Sequence, residues 1–225
     1  MTNVVATAWD GLYLGGQHRS VWPWSDVVSL VMRFARPPAA ARDFRVIELG
    51  CGMGANVPLF ASLGVDYYGI DASATAIHKL RETYATYARN LDVGDFTRTW
   101  PFAGAFDLVI DRAAVTHNDM RGVSAAFMQI ASRLKPGGIL VSVDLFSTAA
   151  SEAEAGEPGP EKGTRINFAD GPLAGTGVAH FFDETELRDL LAGFEILHLH
   201  HKIFTTVIPQ GGRDLSCWNL VAKRM

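Results

Sequence analysis

Residues 45–54 read Arg-Val-Ile-Glu-Leu-Gly-Cys-Gly-Met-Gly, and this stretch decides the fold. A short apolar run surrounds the acidic Glu48, glycines follow at positions 50, 52 and 54, and the next segment has apolar residues at helical spacing. The pattern predicts a strand, a tight glycine loop and a helix, because glycine permits a sharp turn and lets a ligand lie against the backbone. The free amides at the start of such a helix favour polar or anionic ligand groups.

A second acidic residue follows at the spacing expected for nucleotide binding. Residues 67–71 read Tyr-Tyr-Gly-Ile-Asp, a second strand that ends on Asp71 about 20 residues after the glycine loop, where a carboxylate reaches the hydroxyls of a ribose. The two segments predict a nucleotide-type site at the carboxyl edge of a parallel sheet. The spacing Gly50-x-Gly52-x-x-Ala55 also fits the dinucleotide fingerprint, which leaves a nicotinamide-dependent dehydrogenase as an alternative.

Length and composition predict one globular domain. A chain of 225 residues, 48% hydrophobic and 20% charged, suits a single domain with a full core. The net charge of −4 gives no basic footprint, so nucleic acid is not expected as a partner. Cys51 and Cys217 form no metal-like cluster, which favours a reduced, cytoplasmic protein. No signal peptide or membrane-spanning run is expected, and a homo-oligomer is left open.

Periodicity divides the chain after residue 24 into alternating helices and strands. Ser25 is predicted to cap a first helix that Pro37-Pro38 ends, and residues 135–138 are predicted to end a later helix. Strands are predicted at residues 45–49, 67–71, 91–93, 106–111, 139–145, 194–204 and 215–223. The predicted fold class is α/β, a doubly wound and mostly parallel seven-stranded sheet with an antiparallel last strand and helices on both faces.

Two segments lie outside this alternation, and for each we predict a role near a ligand. Residues 1–40 are predicted to form an N-terminal lid and helix, and the tryptophans at positions 9, 22 and 24 either cover a ligand or simply pack on the core. Residues 147–180 are rich in Gly, Pro, Glu and Ala without a clear period. Because long loops in compact domains are usually functional or disordered, this insertion is predicted to lie near an acceptor site.

Four segments, taken in order, resemble the motifs of class I S-adenosylmethionine (SAM)-dependent methyltransferases. They are residues 48–54, 69–73, 93–96 and 134–140, and the resemblance covers residues 43–145 well. The resemblance implies SAM as cofactor and S-adenosylhomocysteine as product. An antiparallel last strand is typical of the methyltransferase sheet, whereas a dehydrogenase would add another parallel unit, so the methyltransferase is favoured.

The resemblance also implies the cofactor-binding residues. Glu48 would orient the loop and bind the cofactor amino group, the three glycines would admit the methionine part, and Asp71 would take the ribose hydroxyls. Asp95 would accept from the adenine amino group, and Phe96 would supply the next amide. The full predicted set is Glu48, Gly50, Cys51, Gly52, Gly54, Asp71, Ala72, Asp95, Phe96, Asp111 and Arg112.

The acceptor side offers three candidate catalytic residues. His117 follows strand four and is the preferred general base, His180 follows the insertion and is the reserve, and Asp144 lies near the end of strand five. A small-molecule acceptor, such as a sugar or another metabolite, is expected, with oxygen favoured over nitrogen. A protein methyltransferase and a non-catalytic SAM-binding partner subunit are the alternatives. His198 and His200 share a strand face, but no metal site is predicted.

Overall fold

A seven-stranded sheet forms the centre of the computed structural model, which describes residues 4–18 and 20–225. In chain order, the strands of this part of the chain are β1 Arg45–Leu49, β2 Asp66–Asp71, β3 Leu91–Val93, β4 Phe106–Arg112, β5 Leu134–Phe146, β6 Glu157–Pro158, β7 Thr164–Ile166, β8 Val178–His180, β9 Phe194–Lys202 and β10 Cys217–Arg224. The large sheet has the order β3-β2-β1-β4-β5-β10-β9, and β10 alone runs opposite to the other six strands. This topology confirms the predicted fold class.

Helices cover both faces of the sheet, as the alternation of buried residues along its strands requires. They are α1 Val4–Leu14, α2 Ser25–Leu30, α3 Val57–Leu63, α4 Ala74–Thr83, α5 Met120–Arg133 and α6 Glu184–Leu190. Val46 packs in one core cluster with residues of α2, α3 and α4, while Ile47 packs in another with residues of α5 and α6. Within the described ranges, no helix is both long and apolar enough to cross a membrane.

Two predicted helix ends are wrong by a few residues. Ser25 does not cap α2, because it is already the first helical residue and Trp24 occupies the cap position. The helix continues as a π-helical turn, Val31–Ala35, and ends at the left-handed Arg36 before the two prolines. Residues 135–138 do not cap α5, because that helix ends at Arg133 and the extended Leu134 already begins β5.

The insertion folds into a unit of its own. Strands β6, β7 and β8 form a three-stranded antiparallel sheet, and a short 3-10 helix, Ser151–Glu154, precedes it. A third core cluster lies beneath, built around Phe146, Phe168 and Phe181. The sequence showed no period here because the strands have only two or three residues each. The unit is tied to the loop after β4 through His180. The His180 amide donates to the Thr116 carbonyl, and the His180 carbonyl accepts from the Thr116 hydroxyl.

Helix α1 is held against the start of α4 by one carboxylate. Oδ1 of Asp10 accepts hydrogen bonds from the Ser73 hydroxyl at 2.6 Å and from the Thr75 amide at 2.9 Å. Ser73 is itself the N-cap of α4, because its hydroxyl accepts from the Ala76 amide. A carboxylate at a helix N-terminus is favoured by the helix dipole. This contact therefore fixes where α1 lies relative to the carboxyl end of β2.

Asp10→Ala is expected to loosen α1 without unfolding the sheet, because both hydrogen bonds are lost. Each bond is worth about 0.5–1.5 kcal/mol, so cleavage within residues 4–18 during limited proteolysis should become roughly tenfold faster. The midpoint of urea unfolding of the core should move little. Asp10→Asn keeps an acceptor oxygen, so its rate of cleavage should lie between those of wild type and Asp10→Ala. Equal cleavage of Asp10→Ala and wild type would show that other contacts dock α1.

Candidate functional site

A cavity of about 630 Å³ opens where the carboxyl ends of the central strands meet. The loops after β1, β2, β3 and β4 form one side of it, and residues of α1, α2, the insertion and the segment around β9 and β10 form the other. A ligand pocket of this size at this edge is typical of open α/β sheets. The predicted nucleotide-type site therefore coincides with a real cavity.

The glycine loop presents bare backbone to this cavity at two of its three glycines. Gly50 and Gly52 have φ of +60° and +51°, and both line the cavity. A Cβ at Gly52 would clash with the Tyr13 hydroxyl, so the loop and α1 approach too closely for any side chain. Gly54 also has a positive φ, but a Cβ there would strike Leu80 of α4, and it is not among the cavity residues. Gly54 is thus required for helix packing.

Two buried carboxylates line the cavity at the ends of β1 and β2. Glu48 accepts hydrogen bonds from the Asn56 side-chain amide at 2.8 Å and from the Tyr67 hydroxyl at 2.7 Å. Asp71 accepts from the amides of Gly52 and Ser73, both at 2.8 Å. Burial raises the pKa of Glu48 to about 7 and that of Asp71 to about 6, although these hydrogen bonds oppose the shift. Both groups are positioned to meet a polar or cationic ligand.

The predicted adenine side lies at the end of β3. Asp95 and Phe96 line the cavity together with Gly94, and Cys51 and Ala72 complete this wall. One oxygen of Asp95 accepts from the amide and hydroxyl of Thr97, at 3.0 and 2.6 Å, so the carboxylate also shapes its own turn.

The two residues that end β4 have different roles. Asp111 is fully buried and is not among the cavity residues; it accepts from the amides of Ala114 and Val115, both at 3.0 Å, and from the Ser142 hydroxyl. The expectation that Asp111 faces the cofactor is therefore corrected: it anchors the loop after β4. Arg112 does line the cavity, with its guanidinium 3.6 Å from the centre of the Trp24 ring.

His117 lies in the cavity wall, as predicted. Its ring packs against Trp9 and Phe146, with centroids 4.9 and 5.3 Å apart. Nδ1 is 3.2 Å from the Val178 carbonyl, which can only accept, so Nδ1 carries the proton and Nε2 is left with a lone pair. Burial lowers the pKa of His117 to about 4, against the opposing effect of that hydrogen bond. The imidazole is therefore neutral at pH 7.

His180 does not reach the cavity, which corrects its assignment as the reserve base. The ring is fully buried, with Nδ1 2.8 Å from the Thr164 hydroxyl and Nε2 2.9 Å from Glu186. Both nitrogens are thus engaged inside the insertion and its junction with α6. Its backbone matters more, since the amide and carbonyl of His180 both bond to Thr116, beside His117.

Asp144 lines the cavity but is already paired with two cations. Its Oδ1 lies 2.8 Å from Lys202 Nζ and its Oδ2 lies 3.1 Å from Arg112. Lys202 Nζ also bonds to Oδ2 of Asp26 at 2.7 Å, and the Asn219 side-chain amide donates to the same oxygen at 2.9 Å. Burial opposes the charge of Lys202, yet the hydrogen bonds from its ammonium to the two carboxylates raise its pKa. Because both of its oxygens are engaged by cations, Asp144 is a structural centre of this wall.

Sequence reasoning missed several cavity residues. Asp26 and Lys202 are 176 positions apart, and no motif links them. The N-terminal segment was suspected as a whole, and the structure puts Trp9, Tyr13 and His18 in the cavity wall. Residues 1–3 and 19 of that segment lie outside the described residues. For residues 4–18 and 20–225, no cluster of three or more His, Cys, Asp or Glu side chains suits a metal ion.

The family model and the curated relatives that match this chain are methyltransferases. A family model described as a methyltransferase domain matches residues 22–199. A ubiquinone biosynthesis O-methyltransferase from Mesorhizobium japonicum is 29% identical over 125 residues, which cover 49% of this chain and 46% of that protein. The chain spans about half the length of the curated relatives it matches.

Two solved structures share the fold. A SAM-dependent methyltransferase from Methanosarcina mazei is 21% identical, with 91% of this chain and 99% of that chain covered and a TM-score of 0.68. The 1,6-didemethyltoxoflavin-N1-methyltransferase of Burkholderia thailandensis, solved with its substrate and S-adenosylhomocysteine, is 16% identical, with 99% and 88% covered and a TM-score of 0.66.

The residues present fit the cofactor of this family. Gly50 and Gly52 present backbone without side chains to the cavity, Asp71 is fixed by two amides at the end of β2, and Glu48 offers a buried carboxylate to a cationic amino group. A match over residues 22–199, on a sheet with this strand order, shows that the chain belongs to the class I SAM-dependent methyltransferases.

Proposed function

We propose that this protein transfers the methyl group of SAM to a hydroxyl of a small molecule. The observation that carries the proposal is the neutral imidazole of His117, which lies in the same cavity as the glycine loop and Asp71. The name of the Mesorhizobium relative, an O-methyltransferase of ubiquinone biosynthesis, supports an oxygen acceptor. The cavity volume of about 630 Å³ must serve cofactor and acceptor together, which favours a small molecule.

The cofactor would lie along the loops after β1, β2 and β3. Glu48 would bind its amino group, Asp71 its ribose hydroxyls, and Asp95 with Phe96 its adenine. When bound, SAM supplies a methyl group that the sulfonium already activates for direct displacement. The protein therefore has two tasks, to hold the acceptor oxygen in line with that methyl group and to receive the hydroxyl proton.

His117 would receive the proton at Nε2. The hydrogen bond between Nδ1 and Val178 fixes the tautomer, and the contacts with Trp9 and Phe146 fix the plane of the ring. A pKa of about 4 keeps the ring ready to accept at neutral pH but makes it a weak base. General-base catalysis works best when the pKa of the base lies near the working pH, so a weak base such as His117 suits an acidic hydroxyl, such as that of a phenol, better than an aliphatic alcohol.

The remaining walls of the cavity would cover the acceptor. Trp9 and Tyr13 come from α1, and Pro172 and Leu173 come from the insertion. We propose that these two segments exclude water while the methyl group is transferred, because a dry site strengthens the alignment of nucleophile and methyl group.

Asp71→Ala is expected to weaken S-adenosylhomocysteine binding by about 10- to 150-fold, or 1.5–3 kcal/mol, because hydrogen bonds to a charged group are lost. Isothermal titration calorimetry measures this effect, and NAD should not bind. Asp92→Ala removes a carboxylate of β3 that is outside the cavity and should leave the affinity unchanged. Binding of NAD without S-adenosylhomocysteine would contradict the proposed cofactor.

The affinity for S-adenosylhomocysteine is expected to fall as the pH is lowered from 8 to 5. In the free protein, burial raises the pKa of Glu48 to about 7 and that of Asp71 to about 6, so both carboxyls take up protons in this range. Binding needs the ionised forms and must release those protons. Calorimetry at several pH values tests this, and Glu48→Gln should flatten the curve around pH 7. An affinity independent of pH would exclude a role for either carboxylate.

His117→Gln is expected to lower turnover by about 10²–10⁴-fold with little change in S-adenosylhomocysteine affinity. Transfer of labelled methyl groups to a panel of phenols provides the assay. Because His117 takes up its proton only near pH 4, the wild-type rate measured with saturating SAM at each pH should stay level from pH 8 down to about pH 5. His200→Gln, at an exposed position of β9, is the control. Near-normal turnover of His117→Gln would mean that the proton leaves by another route.

A further inference from the structure

Two exposed apolar segments adjoin the mouth of the cavity. In the first, Val21 and Trp22 are 61% and 75% exposed and lie between Ser20 and Trp24, both of which line the cavity. Large apolar side chains at this level of exposure are individually ordinary, but a contiguous group of them marks a binding surface.

The second segment follows β9. Phe204 lines the cavity and is 48% exposed, while its neighbour Ile203 is 67% exposed. Val207 and Ile208 follow at 75% and 88% exposed. These six side chains are half of the twelve large exposed apolar side chains of the described residues.

An ion pair brings the two segments to the same side of the cavity. Lys202, which precedes the second segment, bonds to Asp26 in α2, only two residues after Trp24. The ammonium of Lys202 also lies 5.5 Å from the centre of the Phe204 ring. We call the group formed by Val21, Trp22, Ile203, Phe204, Val207 and Ile208 the apolar rim.

The apolar surface continues from the rim into the cavity. Phe204 belongs to both, and Leu173, Leu215 and Phe146 line the cavity farther along. Phe146 in turn contacts the ring of His117. Leu173 and Leu215 pack in one cluster with Phe146, so apolar side chains line the cavity between the rim and the proposed base.

Other occupants of the rim fit these observations less well. The cations beside it, Lys202 and Arg213, are already paired with Asp144 and Asp26 and with Asp170, so they offer little attraction to anionic lipid headgroups. Six side chains are also far fewer than the roughly 20 residues a side that a stable interface with a second copy requires. Continuity with the cavity favours the molecule that enters the cavity.

We propose that the methyl acceptor is an amphiphile, with its reactive hydroxyl inside the cavity near His117 and a flexible hydrocarbon portion on the apolar rim. This inference rests on the proposed function and adds the chemical class of the acceptor. Burial of the hydrocarbon portion against the rim would supply binding energy remote from the reacting oxygen, which helps to hold that oxygen in place.

A homologous series of 4-alkylphenols, from methyl to hexyl, tests the proposal by calorimetry with the full chain, both free and saturated with S-adenosylhomocysteine. Affinity for wild type should rise about fourfold for each added methylene, the factor that corresponds to burying one CH₂. The triple variant Ile203→Ser/Val207→Ser/Ile208→Ser should reduce this factor to twofold or less. Its binding of S-adenosylhomocysteine should be unchanged, since none of the three residues lines the cavity.

The control is Met128→Ser/Met225→Ser, which removes two side chains that are 66% and 76% exposed outside the rim and should keep the fourfold factor. An affinity that stops rising after the methyl member, or an equal factor in triple variant and control, would overturn the proposal. The proposal would also be overturned if affinity did not depend on alkyl chain length while the triple variant lost an interaction that wild type shows. That interaction would be either co-sedimentation with neutral lipid vesicles or dimers seen in light scattering. Failure of the wild-type protein to bind S-adenosylhomocysteine would instead overturn the proposed function.

Discussion

Three buried carboxylates at the ends of adjacent strands organise the whole site. Glu48, Asp71 and Asp111 end or nearly end β1, β2 and β4, and all three are at most 6% exposed. Burying a carboxylate is costly unless it is hydrogen-bonded, and each of these accepts at least two hydrogen bonds. Most of the donors belong to the loops and helix starts that follow the strands, while the hydroxyls of Tyr67 and Ser142 come from β2 and β5. The cost of burial therefore fixes the conformations of the loops that surround the cavity.

The same three groups differ in what they offer to a ligand. Asp111 is fully buried and bonds only to protein groups, namely Ser142 of β5 and the loop that carries His117. Glu48 and Asp71 remain at the cavity surface with raised pKa values. A bound cationic amino group or ribose hydroxyls would therefore stabilise their ionised forms. A buried carboxylate at a strand end thus acts as a structural anchor where the following loop encloses it, and as a binding group where that loop leaves it accessible from the cavity.

That distinction marks the limit of what the sequence could predict. Strand ends and the glycine loop follow from local patterns, so β1, β3 and the position of Asp71 were predicted to the residue. The direction of a side chain beyond a strand end depends on tertiary contacts. Asp111 and Arg112 are neighbours in sequence, yet one is enclosed and the other lines the cavity. His180 was predicted as the reserve to His117 for the same reason, since only the fold of the insertion encloses it.

The N-terminal segment is tied to both halves of the cavity. The side chain of Asn56 donates to Glu48 and accepts from the Trp24 amide, at 2.8 and 3.1 Å. The Trp24 ring covers Arg112, which pairs with Asp144 on the acceptor side. Because bonds of one network constrain each other, the position of this segment depends on the cofactor loop and on the acceptor wall at once. A carboxylate that binds the cofactor amino group is therefore only a few contacts away from the wall that would hold the acceptor.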